Sequence, residues 1–135
     1  MRIIYLLIMV IAGIMISGNT FAQEDQQKNG VEINSEDSIE YELVIIDPRF
    51  ESYLATVQYP KNYYSNEYYT HWNIQYCAEW NIRHQNPARY GDFYENYIHY
   101  DQSVDYGIDL NFKLYQYFQF IEKEYDIILI KRKGN

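Results

Sequence analysis

Residues that commonly form disulfides, metal sites and phosphate-binding loops are scarce in this 135-residue chain, which holds one cysteine, three histidines and six glycines. A lone cysteine excludes an intrachain disulfide, and no glycines cluster into a phosphate-binding loop. The single thiol, Cys77, lies in an aromatic segment, where burial raises a thiol pKa and lowers its reactivity. These shortages disfavour disulfide scaffolds, nucleotide-binding loops and thiol catalysis.

Basic residues are also few: 11 Lys and Arg stand against 19 Asp and Glu, giving a net charge of -8. Nucleic-acid binding depends on a basic field that neutralises phosphates, and docking on anionic lipid needs the same sign of charge. We therefore expect neither nucleic acid nor an anionic membrane surface as a partner.

Motifs for metal-dependent and nucleophilic catalysis are missing. The three histidines, His71, His84 and His99, are far apart and form no HExxH motif, so neither a metal site nor a cofactor is predicted. The G-x-S-x-G elbow is absent, and the spacing of Asp92 and Glu95 does not distinguish a glycosidase pair from an ordinary acidic loop. These observations favour a protein that is not an enzyme, with an unrecognised type of enzyme as an alternative.

The nearest approach to a metal-binding motif lies at residues 101–112. Asp101 and Asp105 occupy positions 1 and 5 of an EF-hand loop. That loop needs glycine at position 6 and a bidentate glutamate at position 12, where this chain has Tyr106 and Phe112. An acidic helix N-terminus is the better interpretation, since carboxylates there interact favourably with the helix dipole.

Aromatic residues are abundant: 17 tyrosines, six phenylalanines and two tryptophans make up 19% of the chain. Each buries about 150–250 Å² when it enters a core, so a small domain gains a large core from few residues. The alternative is that some of these rings form a face that stacks on sugars or anchors peptides.

The chain divides by composition into four parts. A positive start, an apolar run and small residues at positions 1–22 predict a signal peptide cleaved near Ala22, with a retained membrane anchor as the alternative. Residues 23–39 are acidic and lack aromatics, which predicts a flexible linker. Residues 40–131 form the predicted single globular domain, and residues 132–135 a solvated tail. We therefore expect a periplasmic or secreted protein with no membrane span after signal removal.

The predicted domain belongs to the α+β class and is mostly helical. Helices are predicted after Asp47-Pro48, over residues 63–86 and over residues 105–125, because of their caps and apolar periodicity. Within the last of these, residues 109–120 also alternate as a strand would.

Short β-branched runs predict a strand at each end of the domain, near residues 40–46 and 127–130. We expect the N- and C-terminal strands to pair in a small sheet. Two strands alone are marginally stable, so a homodimer that extends the sheet is the alternative.

The helix over residues 63–86 holds both tryptophans and the cysteine. A four-residue repeat of Tyr68, Trp72, Tyr76 and Trp80 predicts its buried face and makes it the expected spine of the domain. Its core role leaves the irregular chain that follows it as the expected place for binding. Aromatic and basic side chains meet there, and the candidate binding residues are Arg83, Arg89, Tyr90 and Tyr94.

Three segments carry a family resemblance: SIEYELVIIDPRFESYLAT, YYSNEYY with the EWN, NP and RY that follow, and DYGIDLNFKLYQYF. Over residues 38–130 the chain resembles an uncharacterised family of Bacteroidota envelope proteins, the domain of unknown function 6146. It departs from that family at Asp101-Gln102, where relatives tend to carry Asp-Pro, and in lacking a lipoprotein cysteine. The resemblance implies export and one compact domain, and it implies no activity, substrate or catalytic residue.

The sequence thus predicts an exported interaction module of the cell envelope, secreted or periplasmic, that is not an enzyme. The alternative is a small glycan- or peptide-binding protein that uses tryptophan and tyrosine. A protein or a glycan of the envelope is the expected partner.

Overall fold

The structure is a computed structural model that describes residues 30–35 and 41–133. Its elements are β1 (Val31–Ser35), β2 (Tyr41–Ile45), α1 (Pro48–Leu54), α2 (Asn66–His84), α3 (Pro87–Tyr90) and α4 (Gly107–Glu124). The predicted mostly helical α+β class is confirmed. The signal-peptide prediction lies outside the described residues, as do residues 23–29 and 36–39 of the predicted linker.

The strands β1 and β2 form an antiparallel ribbon, with Val31 opposite Ile45 and Ile33 opposite Leu43. The prediction of a flexible linker is therefore wrong for Val31–Ser35. Only two apolar residues alternate with polar ones there, which is a weak signal in an acidic segment. Packing against the apolar face of β2 stabilises β1 as a strand, and Val31 and Leu43 are both buried.

The predicted C-terminal strand is wrong, since residues 127–130 form no strand. Side chains bind the backbone of this segment in place of a neighbouring strand. A carboxylate oxygen of Glu122 accepts hydrogen bonds from the N–H groups of Leu129 and Ile130, at 3.0 and 3.1 Å. Arg83 donates to the carbonyl of Ile128 at 2.8 Å. Backbone polar groups must be paired when they are buried, and here they are paired without a sheet.

The predicted start of α1 is confirmed. Asp47 caps the helix by accepting a hydrogen bond from the N–H of Arg49 at 3.0 Å, and Pro48 occupies the first turn. Phe50 is the buried residue of this short helix, and its ring lies 5.7 Å from that of Tyr117. One ring thereby anchors α1 to α4.

The long helix α2 begins after Ser65, whose hydroxyl accepts a hydrogen bond from the N–H of Tyr68, and it ends before Pro87, as predicted. Its buried face is offset from the predicted repeat, since Tyr76 and Trp80 are buried but Tyr68 and Trp72 are only partly so. The residues of α2 that are buried are Tyr69, Asn73, Tyr76, Cys77 and Trp80. Aromatic residues surround this helix, so periodicity alone does not single out one face.

The most buried helix is α4, in which five consecutive residues, Leu114–Phe118, are buried. A helix buried on all sides forms the centre of a core. Tyr76 of α2 stacks on Phe118 with ring centroids 4.9 Å apart, and Phe50 approaches from α1. The spine of the domain is therefore α4, and the assignment of that role to α2 is wrong. The prediction of helix over residues 105–125 is confirmed, and the alternating-strand alternative at residues 109–120 is wrong.

Irregular chain connects α3 to α4 across residues 91–106. Short turns and bends occur there, but no helix or strand. Asn81 of α2 holds this chain instead, since its amide donates to the carbonyl of Ile98 at 2.9 Å and accepts from the N–H of Ile98 at 2.8 Å. The segment is thereby fixed against α2 in an extended form.

Candidate binding groove

The four predicted binding residues lie together at the C-terminal end of α2. The guanidinium of Arg83 lies 5.2 Å from the ring of Tyr90 and 5.6 Å from that of Tyr94, and the guanidinium of Arg89 lies 5.2 Å from the Tyr90 ring. The two tyrosine rings are 6.4 Å apart. Sequence proximity and the turn at Gly91, where φ is 75°, bring these side chains into one cluster.

Arg83 uses its hydrogen-bond donors inside the protein. It donates to Glu79 at 2.7 Å, to the hydroxyl of Tyr94 at 2.9 Å and to the carbonyl of Ile128 at 2.8 Å. Burial alone would lower the pKa of Arg83, but the hydrogen bonds to Tyr94 and Glu79 outweigh it and hold the pKa above its ordinary value. Glu79 and Arg83 are one helical turn apart on α2 and form an ion pair.

Within this cluster, Arg89 is exposed and Tyr90 is half-buried, while 14% of the Arg83 side chain remains accessible. Tyr94 is buried. A ligand at the predicted site would therefore meet the face of Tyr90 and the guanidinium of Arg89.

The two tryptophans have different surroundings. Trp80 is fully buried and donates a hydrogen bond from its indole N–H to the carbonyl of Asn96 at 2.8 Å. Trp72 is half-buried, and the guanidinium of Arg132 lies 4.0 Å from the centre of its ring. Arg132 also donates to the hydroxyl of Tyr76 at 2.8 Å. The prediction of a solvated tail from residue 132 is wrong for Arg132, because this side chain packs into the domain.

A groove of about 720 Å³ opens between α2 and the irregular chain at residues 97–106; we name it the α2 groove. Its residues are Ile74, Cys77, Ala78, Asn81, Tyr97, Ile98, His99, Tyr100, Asp101, Gln102 and Tyr106. The volume is within the range of small-molecule and peptide-anchor pockets. On the α2 side, the groove is lined in part by Ile74 and Ala78, which lie one helical turn apart.

Tyr97 and His99 form the exposed wall of the α2 groove. Their rings lie 4.8 Å apart, and 42% of Tyr97 is accessible. Ile98 between them is buried and Tyr100 after them is half-buried. Sequence reasoning missed this wall, although the alternation at residues 97–100 is the two-residue period of an extended chain. This alternation is the signal from which the exposed positions of Tyr97 and His99 could have been predicted.

Carboxylates stand at both ends of this wall. Glu32 and Glu95 line a second hollow of about 340 Å³, the edge hollow, which shares Tyr97 and His99 with the α2 groove. Asp101 stands on the other side, where hydrogen bonds from the hydroxyl and N–H of Ser103 hold its pKa below the ordinary value. Among residues 30–35 and 41–133, no Lys or Arg pairs with these carboxylates or lines either hollow.

Burial lowers the reactivity of the thiol that lines the α2 groove. Cys77 is buried, and desolvation raises the pKa of its thiol. Within the described ranges, no three His, Cys, Asp or Glu side chains converge as metal ligands. The Asp101 and Asp105 carboxylates, which resembled calcium ligands by position, accept local hydrogen bonds from Ser103 and Gly107.

The fold and this groove define a small α+β domain with an open, ligand-sized surface groove. A family model, Family of unknown function (DUF6146), matches residues 3–133, and the chain therefore belongs to that family. No curated protein and no solved structure matches the chain. In the part of the chain that the structure describes, no helix is both long and apolar enough to cross a membrane.

Proposed function

We propose that this chain is an exported, non-enzymatic interaction module of the cell envelope and that it binds its partner in the α2 groove. The observation that carries this proposal is the exposed wall of Tyr97 and His99 above the groove. Exposed aromatic rings beside a concave surface are the residues that most often dominate binding energy. Export rests on the signal peptide predicted at residues 1–22.

The groove combines stacking rings with polar atoms. Tyr97 offers a ring, while Asp101 and Gln102 offer carboxylate and amide groups near it. This combination suits a peptide side chain with its backbone, and it also suits a sugar ring with its hydroxyls. The predicted pair Arg89 and Tyr90 is a separate candidate surface for the same partner or another one.

Site-specific photo-crosslinking in the native cells tests the proposal. A photoreactive phenylalanine analogue replaces Tyr97 in the groove, Tyr90 in the predicted cluster, or Tyr63 as the control. Tyr63 is an exposed tyrosine that lines neither the α2 groove nor the edge hollow. We expect a discrete adduct from position 97 and none from position 63.

The mass of the adduct identifies the chemical class of the partner, since a glycan and a protein differ in digestion and fragmentation. An adduct at position 90 alone would support the predicted cluster and contradict the groove. Equal adducts at positions 97 and 63 would show contact without a defined site and would contradict the proposal.

A further inference from the structure

Within residues 30–35 and 41–133, no strand pairs with the outer edge of β1, which borders the edge hollow. The N–H of Ile46 donates to the carbonyl of Gly30, so Gly30 and Ile46 belong to a hydrogen-bonded register pair. In an antiparallel ladder, such pairs alternate with pairs whose N–H and C=O groups point away from the partner strand. Ile33 lies opposite Leu43, three positions on, and its backbone groups therefore point outward.

This outward edge faces the edge hollow. Ile33 and Glu32 line the hollow on one side, and Glu95, Tyr97 and His99 line it on the other. No backbone hydrogen bond joins Ile33 to any other residue of the described ranges outside the ribbon. An open strand edge of this kind is a template for the addition of a further strand.

The charges around that edge select the kind of strand that fits. Glu32 and Glu95 flank the hollow and Asp101 lies beyond it, all without a basic partner among the described residues. Basic side chains complement such a surface, whereas a second copy of β1, which carries Glu32, places like charges together. Self-pairing at this edge is therefore disfavoured.

We propose, on the basis of the function proposed above, that the partner is a protein that presents an extended, basic peptide segment. This segment adds to the outer edge of β1 at Ile33 and sets Lys or Arg side chains against Glu32 and Glu95. One aromatic or aliphatic side chain of the segment passes the wall of Tyr97 and enters the α2 groove.

Fluorescence anisotropy with a labelled, capped peptide of sequence Lys-Val-Lys-Tyr-Lys-Val tests the inference, with Glu-Val-Glu-Tyr-Glu-Val as its matched control. We expect the basic peptide to bind and the acidic one not to bind. Because exposed ion pairs contribute up to about 1 kcal/mol each, the double variant Glu32→Gln, Glu95→Gln should bind about 3- to 30-fold more weakly. The double variant Glu67→Gln, Asp92→Asn removes two exposed carboxylates outside both hollows and should bind like the parent chain.

Two changes test pairing with the strand edge. Ile33→Pro removes an N–H that points away from β2, so it should abolish peptide binding while the ribbon signals of Glu32 and Val44 persist in NMR spectra. Peptides N-methylated at one or the other set of alternate amides test the same point on the unaltered protein. One set should lose binding and the other should retain it, because the bound peptide would pair with β1 along only one of its two edges.

The outcomes separate this inference from the function on which it rests. Suppose that an adduct forms at position 97. The proposal of a basic strand is then overturned if the basic peptide does not bind, if the acidic peptide binds equally well, or if both N-methylated sets have equal effects. The groove would remain a binding site in each of these cases. Failure of both the adduct and the peptide overturns both proposals.

Discussion

Asp47 links the start of α1 to Tyr125, the residue that follows α4, through a single carboxylate. It caps α1, pairs with the Arg49 guanidinium at 3.0 Å and accepts a hydrogen bond from the Tyr125 hydroxyl at 2.6 Å. Burial by itself raises the pKa of Asp47, but the hydrogen bonds from Arg49 and Tyr125 outweigh it and leave the pKa below the ordinary 3.8. The sequence indicated the cap, because Asp precedes Pro, and it gave no sign of Tyr125, which is 78 residues away.

This lowered pKa predicts an acid-sensitive contribution to stability. A carboxyl with a lowered folded pKa stabilises the protein fully above its unfolded pKa and loses that contribution as the pH falls through the folded pKa. Urea unfolding at neutral pH and at pH values below 3.8 should show the loss. Asp47→Asn should cost about 2–3 kcal/mol at neutral pH and flatten this part of the pH profile. Asp92→Asn, which changes an exposed carboxylate, serves as control; equal pH profiles for the two variants would contradict the assignment.

Arg132 gives a second prediction for a single residue. Its guanidinium stacks on Trp72 at 4.0 Å and donates to the hydroxyls of Tyr115 and Tyr76, at 3.0 and 2.8 Å. Lysine keeps the charge but not the planar fork, so Arg132→Lys should lower the free energy of unfolding by about 1–2 kcal/mol. Lys131→Ala, at an exposed neighbouring position, should change it by less than about 0.5 kcal/mol. Thermal and urea unfolding measure both, and an unaffected Arg132→Lys variant would show that the stack adds no stability.

At the scale of elements, the main helices and the strand near residues 40–46 were predictable, whereas β1 and the irregular form of residues 127–130 were not. Caps at Asp47 and Ser65 and the stop at Pro87 are local signals, and each marks a boundary that the structure confirms. Residues 127–130 have the composition of a strand, but composition does not reveal that Glu122 and Arg83 take the place of a partner strand. Pairing of this kind depends on which elements meet in three dimensions.

The segment of residues 127–130 should be released when Glu122 loses its charge. Glu122→Gln weakens two charge-assisted hydrogen bonds to the N–H groups of Leu129 and Ile130. Hydrogen exchange of these two amides should accelerate by about tenfold or more, with little change in the slowest amides of α4. Glu67→Gln, on the exposed start of α2, is the control. Unchanged exchange at both amides would contradict the assigned role of Glu122.

At the scale of the whole molecule, sequence reasoning predicted the fold class and one cluster of side chains. It found Arg83, Arg89, Tyr90 and Tyr94 because these residues are close in the sequence. The α2 groove brings residues of one helix against irregular chain some twenty positions later, and the edge hollow adds β1. Sites assembled from distant segments leave no local pattern in the sequence. The same holds for the core, since α4 is central because other elements enclose Leu114–Phe118 from several directions.

The rate at which the Cys77 thiol is labelled measures how often the core opens. Cys77 is buried at the floor of the α2 groove, and burial raises its thiol pKa. Labelling by a thiol reagent under native conditions should therefore require unfolding. A destabilised variant such as Arg132→Lys should react faster by about tenfold for each 1.4 kcal/mol lost. Equal labelling rates in the parent and variant chains would show that the groove floor opens locally.

The contacts of Arg132 also set the order in which the chain can finish folding. The hydroxyl of Tyr76 pairs with Arg132, which is 56 residues later in the chain, and Asp47 pairs with Tyr125, which is 78 residues later. Because synthesis runs from the N-terminus, a nascent chain that has reached α4 still leaves the ring of Trp72 without its cation and the buried carboxylate of Asp47 only partly bonded. The domain can therefore complete these contacts only after residues 125 and 132 have been synthesised, so its final packing follows synthesis of the C-terminal segment.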